Sequence, residues 1–96
     1  MQLIELDGDG QERKVHEVGE GEFVLGRLEG DLTFPEDEFI SRRHARLLFQ
    51  EGICYLKDLG SSNGTFVKVA EPTELQDGNV FLIGHRFFKI RLPEQE

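Results

Sequence analysis

The 96-residue chain carries 19 acidic and 11 basic residues, which gives it a formal net charge of −8. This length fits one domain with a thin core and leaves no room for a second. The acidic balance disfavours a nucleic-acid-binding protein, because such proteins draw much of their affinity from a basic surface.

The single cysteine, Cys54, excludes an internal disulfide and lies in an apolar run. This position predicts a small buried side chain rather than a reactive thiol. The apolar runs are far shorter than the ~20 residues needed to span a bilayer. Residues 1–10 contain no basic segment followed by an apolar stretch, so we expect no secretory signal. These features favour a reduced, cytoplasmic setting.

Many short apolar runs, separated by glycine and aspartate turn signals, predict an all-β fold without a helix of useful length. The predicted strands are residues 2–6, 13–18, 22–26, 31–34, 44–50, 52–57, 65–67, 73–75, 79–83 and 86–92. Glu51-Gly52 predicts a tight hairpin turn. Eleven glycines and eight phenylalanines are typical of a sandwich with short connections. We expect a domain core over about 2–92 and a polar tail at 93–96.

Asp7-Gly8-Asp9-Gly10 is similar to the start of a calcium loop. Such a loop needs a bidentate glutamate at its twelfth position, which is Val18 here. We therefore predict a hairpin turn between the first two strands. The three histidines and Cys54 are too scattered for a zinc spacing, so no metal site and no cofactor are predicted.

Three polar stretches carry more chemistry than turns require: Gly26-Arg27, Ser41-Arg42-Arg43-His44, and Asp58 to Thr65. Each lies on a loop or at the end of a predicted strand. A phosphate monoester offers three acceptor oxygens and nearly two negative charges. Arginine binds it through a planar fork, and hydroxyl or backbone N–H groups complete the contacts. The candidate phosphate ligands are Arg27, Ser41, Arg42 and Ser62, and Asn63 offers a donor and an acceptor to a peptide backbone.

The order Gly-Arg, Ser-Arg-x-His and Gly-Ser-Ser-Asn-Gly-Thr, over residues 26–65, resembles the signature of the forkhead-associated (FHA) domain. The resemblance implies a β-sandwich of two antiparallel or mixed sheets with about eleven short strands and ligand loops at one end. It also implies a module that binds phosphothreonine in other proteins and catalyses nothing. Such a module mediates phosphorylation-dependent protein–protein interactions in Ser/Thr kinase signalling.

The resemblance further implies a role for each motif residue. Arg27 and Ser41 would contact the phosphate, and Arg42 would contact the phosphate or the nearby peptide. Ser62 would help to hold the phosphothreonine, and Asn63 would bond the peptide main chain. The residues implied to support the binding loops are Gly26, His44 and Gly64.

Two segments depart from or extend this pattern. Family members often place an Asn-Gly turn after the strand that follows the last motif, whereas Thr65-Phe66-Val67 leads into Lys68-Val69 here. The geometry of that next hairpin is left open. The loop at residues 34–40 carries three acids, which would favour basic residues beside the phosphothreonine.

Catalysis is disfavoured, because Ser41 and His44 are close neighbours in an extended chain and no third residue is placed to orient the histidine. The loop at residues 60–65 lacks the lysine and the following helix of a nucleotide phosphate loop. Two alternatives remain: an FHA-like docking scaffold that ignores phosphate, and a binder of small phosphate metabolites or nucleic-acid ends. We expect a monomer with a phosphothreonine protein as its partner, and no nucleic-acid or membrane partner.

Overall fold

The structure is a computed structural model that describes residues 1–66 and 73–93. Within these ranges it contains ten strands and no helix. The strands are β1 (Gln2–Leu6), β2 (Glu12–Glu17), β3 (Gly21–Gly26), β4 (Leu32–Thr33), β5 (Ala45–Gln50), β6 (Ile53–Asp58), β7 (Thr65–Phe66), β8 (Thr73–Leu75), β9 (Val80–Ile83) and β10 (Arg86–Arg91).

The strands form two five-stranded sheets, ordered β2-β1-β10-β9-β7 and β4-β3-β5-β6-β8. Every pairing is antiparallel except that of β3 with β4, which is parallel. The predicted all-β sandwich is therefore confirmed. About eleven strands were expected, and the described residues contain ten. The end of the strand predicted at 65–67, and the hairpin question at residues 68–69, lie outside the described residues.

The core lies between the sheets and follows from the alternation of side chains along each strand. In β5, Ala45, Leu47 and Phe49 are buried while the residues between them are half-buried. Phe81 and Phe88 of the other sheet stack in the core with ring centroids 5.4 Å apart. Most of the buried apolar residues of both sheets form one cluster, as expected for a small sandwich.

Cys54 belongs to this cluster and is fully buried. Burial raises the pKa of its thiol to about 12. The thiol is therefore protonated near neutral pH, in agreement with the prediction of a small buried side chain.

The two predicted hairpin turns are present. Glu51 and Gly52 both have positive φ angles, 53° and 78°, as a two-residue turn of type I′ requires. In the first hairpin, the Asp7 carboxylate accepts hydrogen bonds from the backbone N–H groups of Asp9 and Gln11. Among residues 1–66 and 73–93, no group of three acidic, histidine or cysteine side chains could hold a metal ion. In the same residues no helix has the length and apolar character to cross a membrane.

Candidate functional site

The loop after β3 lies directly against the segment that precedes β5. The N–H of Arg27 donates to the carbonyl of Ser41 (2.9 Å), and the N–H of Glu29 donates to the carbonyl of Arg42 (3.0 Å). This approach requires glycine at position 26, because a Cβ there would lie 2.3 Å from the carbonyl oxygens of both Arg42 and Glu29. The first two motifs are therefore joined through their backbones.

The side chain of His44 joins the second motif to the third. His44 is fully buried. Its Nδ1 accepts the backbone N–H of Ser41 (3.0 Å), and its Nε2 lies 2.7 Å from the carbonyl oxygen of Gly64. An acceptor at Nδ1 carries no proton, so Nε2 must hold the hydrogen and donate it to that carbonyl. The imidazole is thus neutral, in a tautomer that is fixed by two different loops.

The loop of the third motif is organised around Asp58 at the end of β6. Its carboxylate accepts hydrogen bonds from the backbone N–H groups of Gly60 and Ser61 and from the hydroxyls of Ser61 and Thr65. The Ser61 hydroxyl in turn accepts the N–H of Gly64 (2.9 Å). Burial raises the pKa of Asp58, but these hydrogen bonds outweigh it and hold that pKa below its ordinary value.

Two further contacts bind this loop to the one before β5. The hydroxyl oxygen of Ser41 accepts the backbone N–H of Ser62 (3.0 Å). The Nδ2 of Asn63 donates to the carbonyl of Phe39 (2.9 Å). Ser62 and Asn63 are exposed. Among the described residues, no protein group accepts the Ser41 hydroxyl hydrogen or donates a hydrogen bond to the Asn63 Oδ1.

The two arginines that are predicted as phosphate ligands, Arg27 and Arg42, have different surroundings. The Nε of Arg27 donates to the carbonyl of Ile40 (3.2 Å), which fixes the guanidinium plane. Within the described parts of the chain, no carboxylate lies within 4 Å of that guanidinium. Arg42 instead pairs with Glu29 (3.0 Å) in a contact with side-chain exposures of 69% and 52%. Exposed pairs of this kind are weak, so Arg42 can exchange Glu29 for another anion.

The turn between β9 and β10 supports the same loops from the side. The ring of Phe39 stacks on His85 with centroids 4.1 Å apart. Arg86 pairs with Asp37 (3.0 Å) and lies 4.4 Å from the ring centroid of Phe34. A second oxygen of Asp37 accepts the N–H of Phe39 (3.0 Å). These contacts fix the loop that carries the predicted ligand Ser41.

A known protein family matches the strands and loops that form this site. The model of the FHA domain family matches residues 23–84, from the middle of β3 to the turn after β9. The chain belongs to the FHA domain family.

Relatives and solved structures agree with this assignment. The chain is 33% identical over 88 residues to the FHA domain-containing protein FhaA of Mycobacterium tuberculosis, covering 90% of this chain and 16% of FhaA. It is 31% identical over 77 residues to FhaB of the same species, covering 77% of this chain and 50% of FhaB. The chain therefore spans half or less of the length of these relatives.

Two solved FHA domains superimpose closely on this one. The first comes from a study of phosphothreonine-dependent FHA domain interactions, with a TM-score of 0.79 and 32% identity over 98% of this chain and 97% of the other. The second is the FhaA FHA domain in complex with the intracellular domain of another protein, with a TM-score of 0.76 and 33% identity over 94% and 98%.

The structure of this FHA domain brings the predicted site residues together at one end of the sandwich. Arg27, Ser41, Ser62 and Asn63 are linked by the contacts between the loops, while the Arg42 side chain turns aside to Glu29. Sequence reasoning missed the residues that hold these loops, notably Asp58, Ser61 and the Asp37–Arg86 pair. An aspartate directly before a Leu-Gly-Ser turn is a signal for Asp58, because such carboxylates cap nearby backbone N–H groups. No local signal identifies Arg86, which lies 49 residues from Asp37.

Replacing His44 with alanine is expected to lower the free energy of unfolding by about 2–4 kcal/mol, because it leaves the N–H of Ser41 and the carbonyl of Gly64 without partners. Urea unfolding at neutral pH measures the change. His85→Ala is the matched control, since His85 is exposed and its loss should cost less than about 1 kcal/mol. An unchanged unfolding free energy for His44→Ala would contradict the bridging role.

Asp58 is expected to make the stability depend on pH. Because its folded pKa lies below the unfolded value of 3.8, its stabilisation is complete above that value and is lost as the pH falls through the lower folded pKa. Asp58→Asn should destabilise the domain at pH 6 by about 1 kcal/mol, since an amide cannot accept all four hydrogen bonds. Urea unfolding from pH 6 to pH 2.5 should show the two proteins converging at the acidic end. A constant difference across that range would refute this role.

Proposed function

We propose that this FHA domain binds protein segments that carry phosphothreonine. The observation that carries the proposal is the state of Arg27, whose guanidinium is oriented by the Ile40 carbonyl and has no acidic partner among the described residues. A guanidinium that is oriented in this way and has no counter-ion, on a loop whose backbone is bonded to Ser41, is suited to a dianion with three acceptor oxygens. The likeness to a chain solved in a study of phosphothreonine-dependent interactions supports the same function.

The proposed phosphate contacts divide among four residues. Arg27 offers its two terminal nitrogens as a fork, and the hydroxyls of Ser41 and Ser62 each donate one hydrogen bond. Arg42 contributes once it exchanges Glu29 for the phosphate, a change that costs little in an exposed pair. The phosphate is thus held mostly by groups that the loop contacts already fix in place.

Asn63 is proposed to bind the main chain of the peptide. Its Nδ2 is already bonded to the Phe39 carbonyl, so Oδ1 is the atom that can accept a peptide N–H. The second hydrogen on Nδ2 can donate to a peptide carbonyl. Gly26, His44 and Gly64 are proposed as supports of the loops rather than as ligand contacts.

The geometry favours a binding module over an enzyme. A serine nucleophile needs a base within hydrogen-bond distance of its hydroxyl. Here the Nδ1 of His44 accepts the backbone N–H of Ser41, and the Nε2 donates to Gly64. Neither nitrogen is available to the Ser41 hydroxyl, so we propose no hydrolytic step at this site.

The partner is proposed to be a phosphothreonine protein of a Ser/Thr kinase pathway, with the whole chain acting as one cytoplasmic FHA module. Glu36 and Glu38 are exposed in the loop before Ser41, and the chain carries a net charge of −8. Basic residues flanking the phosphothreonine would therefore be favoured over acidic ones. The same charge opposes a nucleic-acid partner.

Arg27→Ala is expected to weaken binding of a phosphothreonine peptide at least tenfold, because it removes a charge-assisted pair of hydrogen bonds. Calorimetric titration measures the affinity, and far-UV circular dichroism checks the fold. Arg43→Ala is the control for net charge, since Arg43 is an exposed neighbour that makes no ion pair within the described part of the chain, and this variant should bind within about twofold of the wild type. Equal losses in both variants would mean that charge alone, and not the Arg27 geometry, determines binding.

Matched phosphothreonine, phosphoserine and glutamate peptides should bind in that order. If the threonine methyl is buried, it adds about 0.8 kcal/mol to the binding free energy, which is a several-fold preference over phosphoserine. A glutamate peptide should bind least, because its carboxylate lacks the third oxygen and the second charge of a phosphate. Affinity should also fall between pH 7.5 and 5.5, because the phosphate regains its second proton near pH 6 while arginine stays charged.

Calorimetry with the three peptides at both pH values, and with inorganic phosphate as a competitor, separates the alternatives. Equal affinity for all three peptides would identify the phosphate-independent docking scaffold. Inorganic phosphate that competes at the peptide's own concentration would identify a binder of small phosphate compounds.

A further inference from the structure

The outer face of the β2-β1-β10-β9-β7 sheet carries a line of apolar side chains. Phe66 of β7 lies opposite Leu82 of β9, Leu82 lies opposite Phe87 of β10, and Phe87 lies opposite Leu6 of β1. Residues that are directly opposite share one face of a sheet. Their neighbours in the core cluster, Phe81 and Phe88 among them, point to the other face. Four apolar residues therefore cross four strands in register on the outside of the domain.

These side chains are accessible. Phe66 is 57% exposed, Phe87 is 43% exposed, and Val80, which lies beside them on β9, is also 43% exposed. A shallow concavity of about 500 Å³ runs between Phe87 and Val80 and the turn at residues 7–10. We refer to Leu6, Phe66, Val80, Leu82 and Phe87 as the apolar row.

The outer face of the other sheet has a shorter apolar stretch, in which Leu48 lies opposite Tyr55 and this pair is flanked across the strands by Glu22 and Glu74. Arg46 and Lys57 lie on the same face, and Arg46 pairs with Glu22 (2.8 Å). Alternation of apolar inward and polar outward residues is the usual pattern of an antiparallel sheet with one wet face. The apolar row departs from that pattern, and contiguous exposed apolar surface of this kind marks interaction sites.

The size of the row argues against a second copy of this chain as its partner. With about 200 Å² for a whole aromatic side chain, the exposed parts amount to roughly 300–400 Å². A stable interface buries about 800 Å² on each partner. Two copies, each with a net charge of −8, also repel one another. The apolar row is therefore too small to hold a partner by itself. It is suited to a second contact with a partner that is already bound elsewhere on the domain.

The row is continuous with the proposed phosphate site. A Cβ on Gly64 would lie 3.0 Å from the ring of Phe66, so this ring packs against the loop that carries Ser62 and Asn63. We propose that the phosphorylated partner, beyond its phosphothreonine, packs apolar side chains on the apolar row. This inference rests on the proposed phosphothreonine binding. A ligand held at the loops reaches the row at a high effective concentration, so a weak apolar contact there increases the affinity.

The charges beside the row indicate the rest of the partner's chemistry. Asp7 pairs with Arg13 (2.7 Å), but the carboxylate of Asp9, in the same turn, has no ion pair among the described residues. A lysine or arginine that follows the partner's apolar residues would lie next to this carboxylate. The occupant is thus an apolar segment with a basic end.

Two randomised phosphothreonine peptide libraries, one of nine and one of about 24 residues, test this inference. Peptides that bind the wild-type domain are selected from each library. The affinities of the best long peptides are then measured by calorimetry and compared with those of the nine-residue segments around their own phosphothreonine, which we call the cores. The long peptides should be enriched in apolar residues outside the core and should bind at least fivefold tighter than the core. Phe87→Ser and the nearly isosteric Val80→Thr should remove most of that gain and leave the affinity of the core within twofold.

Tyr55→Ser is the matched control, because Tyr55 is 39% exposed on the outer face of the other sheet, and it should retain the gain. Equal affinity of long and short peptides, or a gain that survives Phe87→Ser and Val80→Thr, would overturn the inference. Sedimentation of the free domain that shows a dimer abolished by Phe87→Ser would assign the row to a second copy instead. If no nine-residue phosphothreonine peptide binds the wild type, the proposed function itself fails and the inference fails with it.

Discussion

The neutral imidazole of His44 is the contact on which the binding loops depend. It is fully buried, so each ring nitrogen left without a partner would cost free energy. One nitrogen accepts from the loop of Ser41 and the other donates to the loop of Gly64, and only one tautomer satisfies both. This side chain, together with the contacts of Ser62 with Ser41 and of Asn63 with Phe39, therefore sets the distance between two loops in the absence of a ligand. Loops fixed in this way bind a ligand without paying the entropy of ordering.

The residues proposed to contact the ligand have a property in common. Each uses one side-chain atom for a hydrogen bond within the domain and leaves another polar atom open to a ligand. Arg27 uses Nε for the Ile40 carbonyl and keeps its terminal nitrogens. Ser41 accepts through its oxygen and keeps its hydrogen, while Asn63 donates from Nδ2 and keeps Oδ1. Side chains held at one atom lose little rotamer freedom on binding. This division explains why the motif needs forked or bifunctional residues at these positions, and why a lysine in place of Arg27 would lack the atom that orients it.

The sequence was sufficient for those parts of the molecule that depend on local pattern. Alternation and turn residues located all ten strands of the described ranges, and the tight hairpin turn was predicted from Glu51-Gly52, although its type was not. The candidate site residues came from three short motifs, and their contacts with a ligand stay a prediction. The sequence did not show which strands lie side by side or in what register. Three features depend on this: the parallel pairing of β3 with β4, the Arg86–Asp37 contact and the apolar row. Each residue of the row resembles an ordinary strand residue until its cross-strand neighbours are known.

The acidic body and the proposed phosphate site would act on a phosphopeptide over different distances. At physiological ionic strength charges are screened beyond about 8 Å. The repulsion between a net charge of −8 and an approaching anion is therefore mostly screened before contact, whereas the proposed attraction of Arg27 for a phosphate would act within hydrogen-bond range. A polyanion such as a nucleic acid meets the repulsion along its whole length, and a single phosphate between basic residues does not. With the proposed phosphate site, this charge distribution would favour a single dianion over a chain of them.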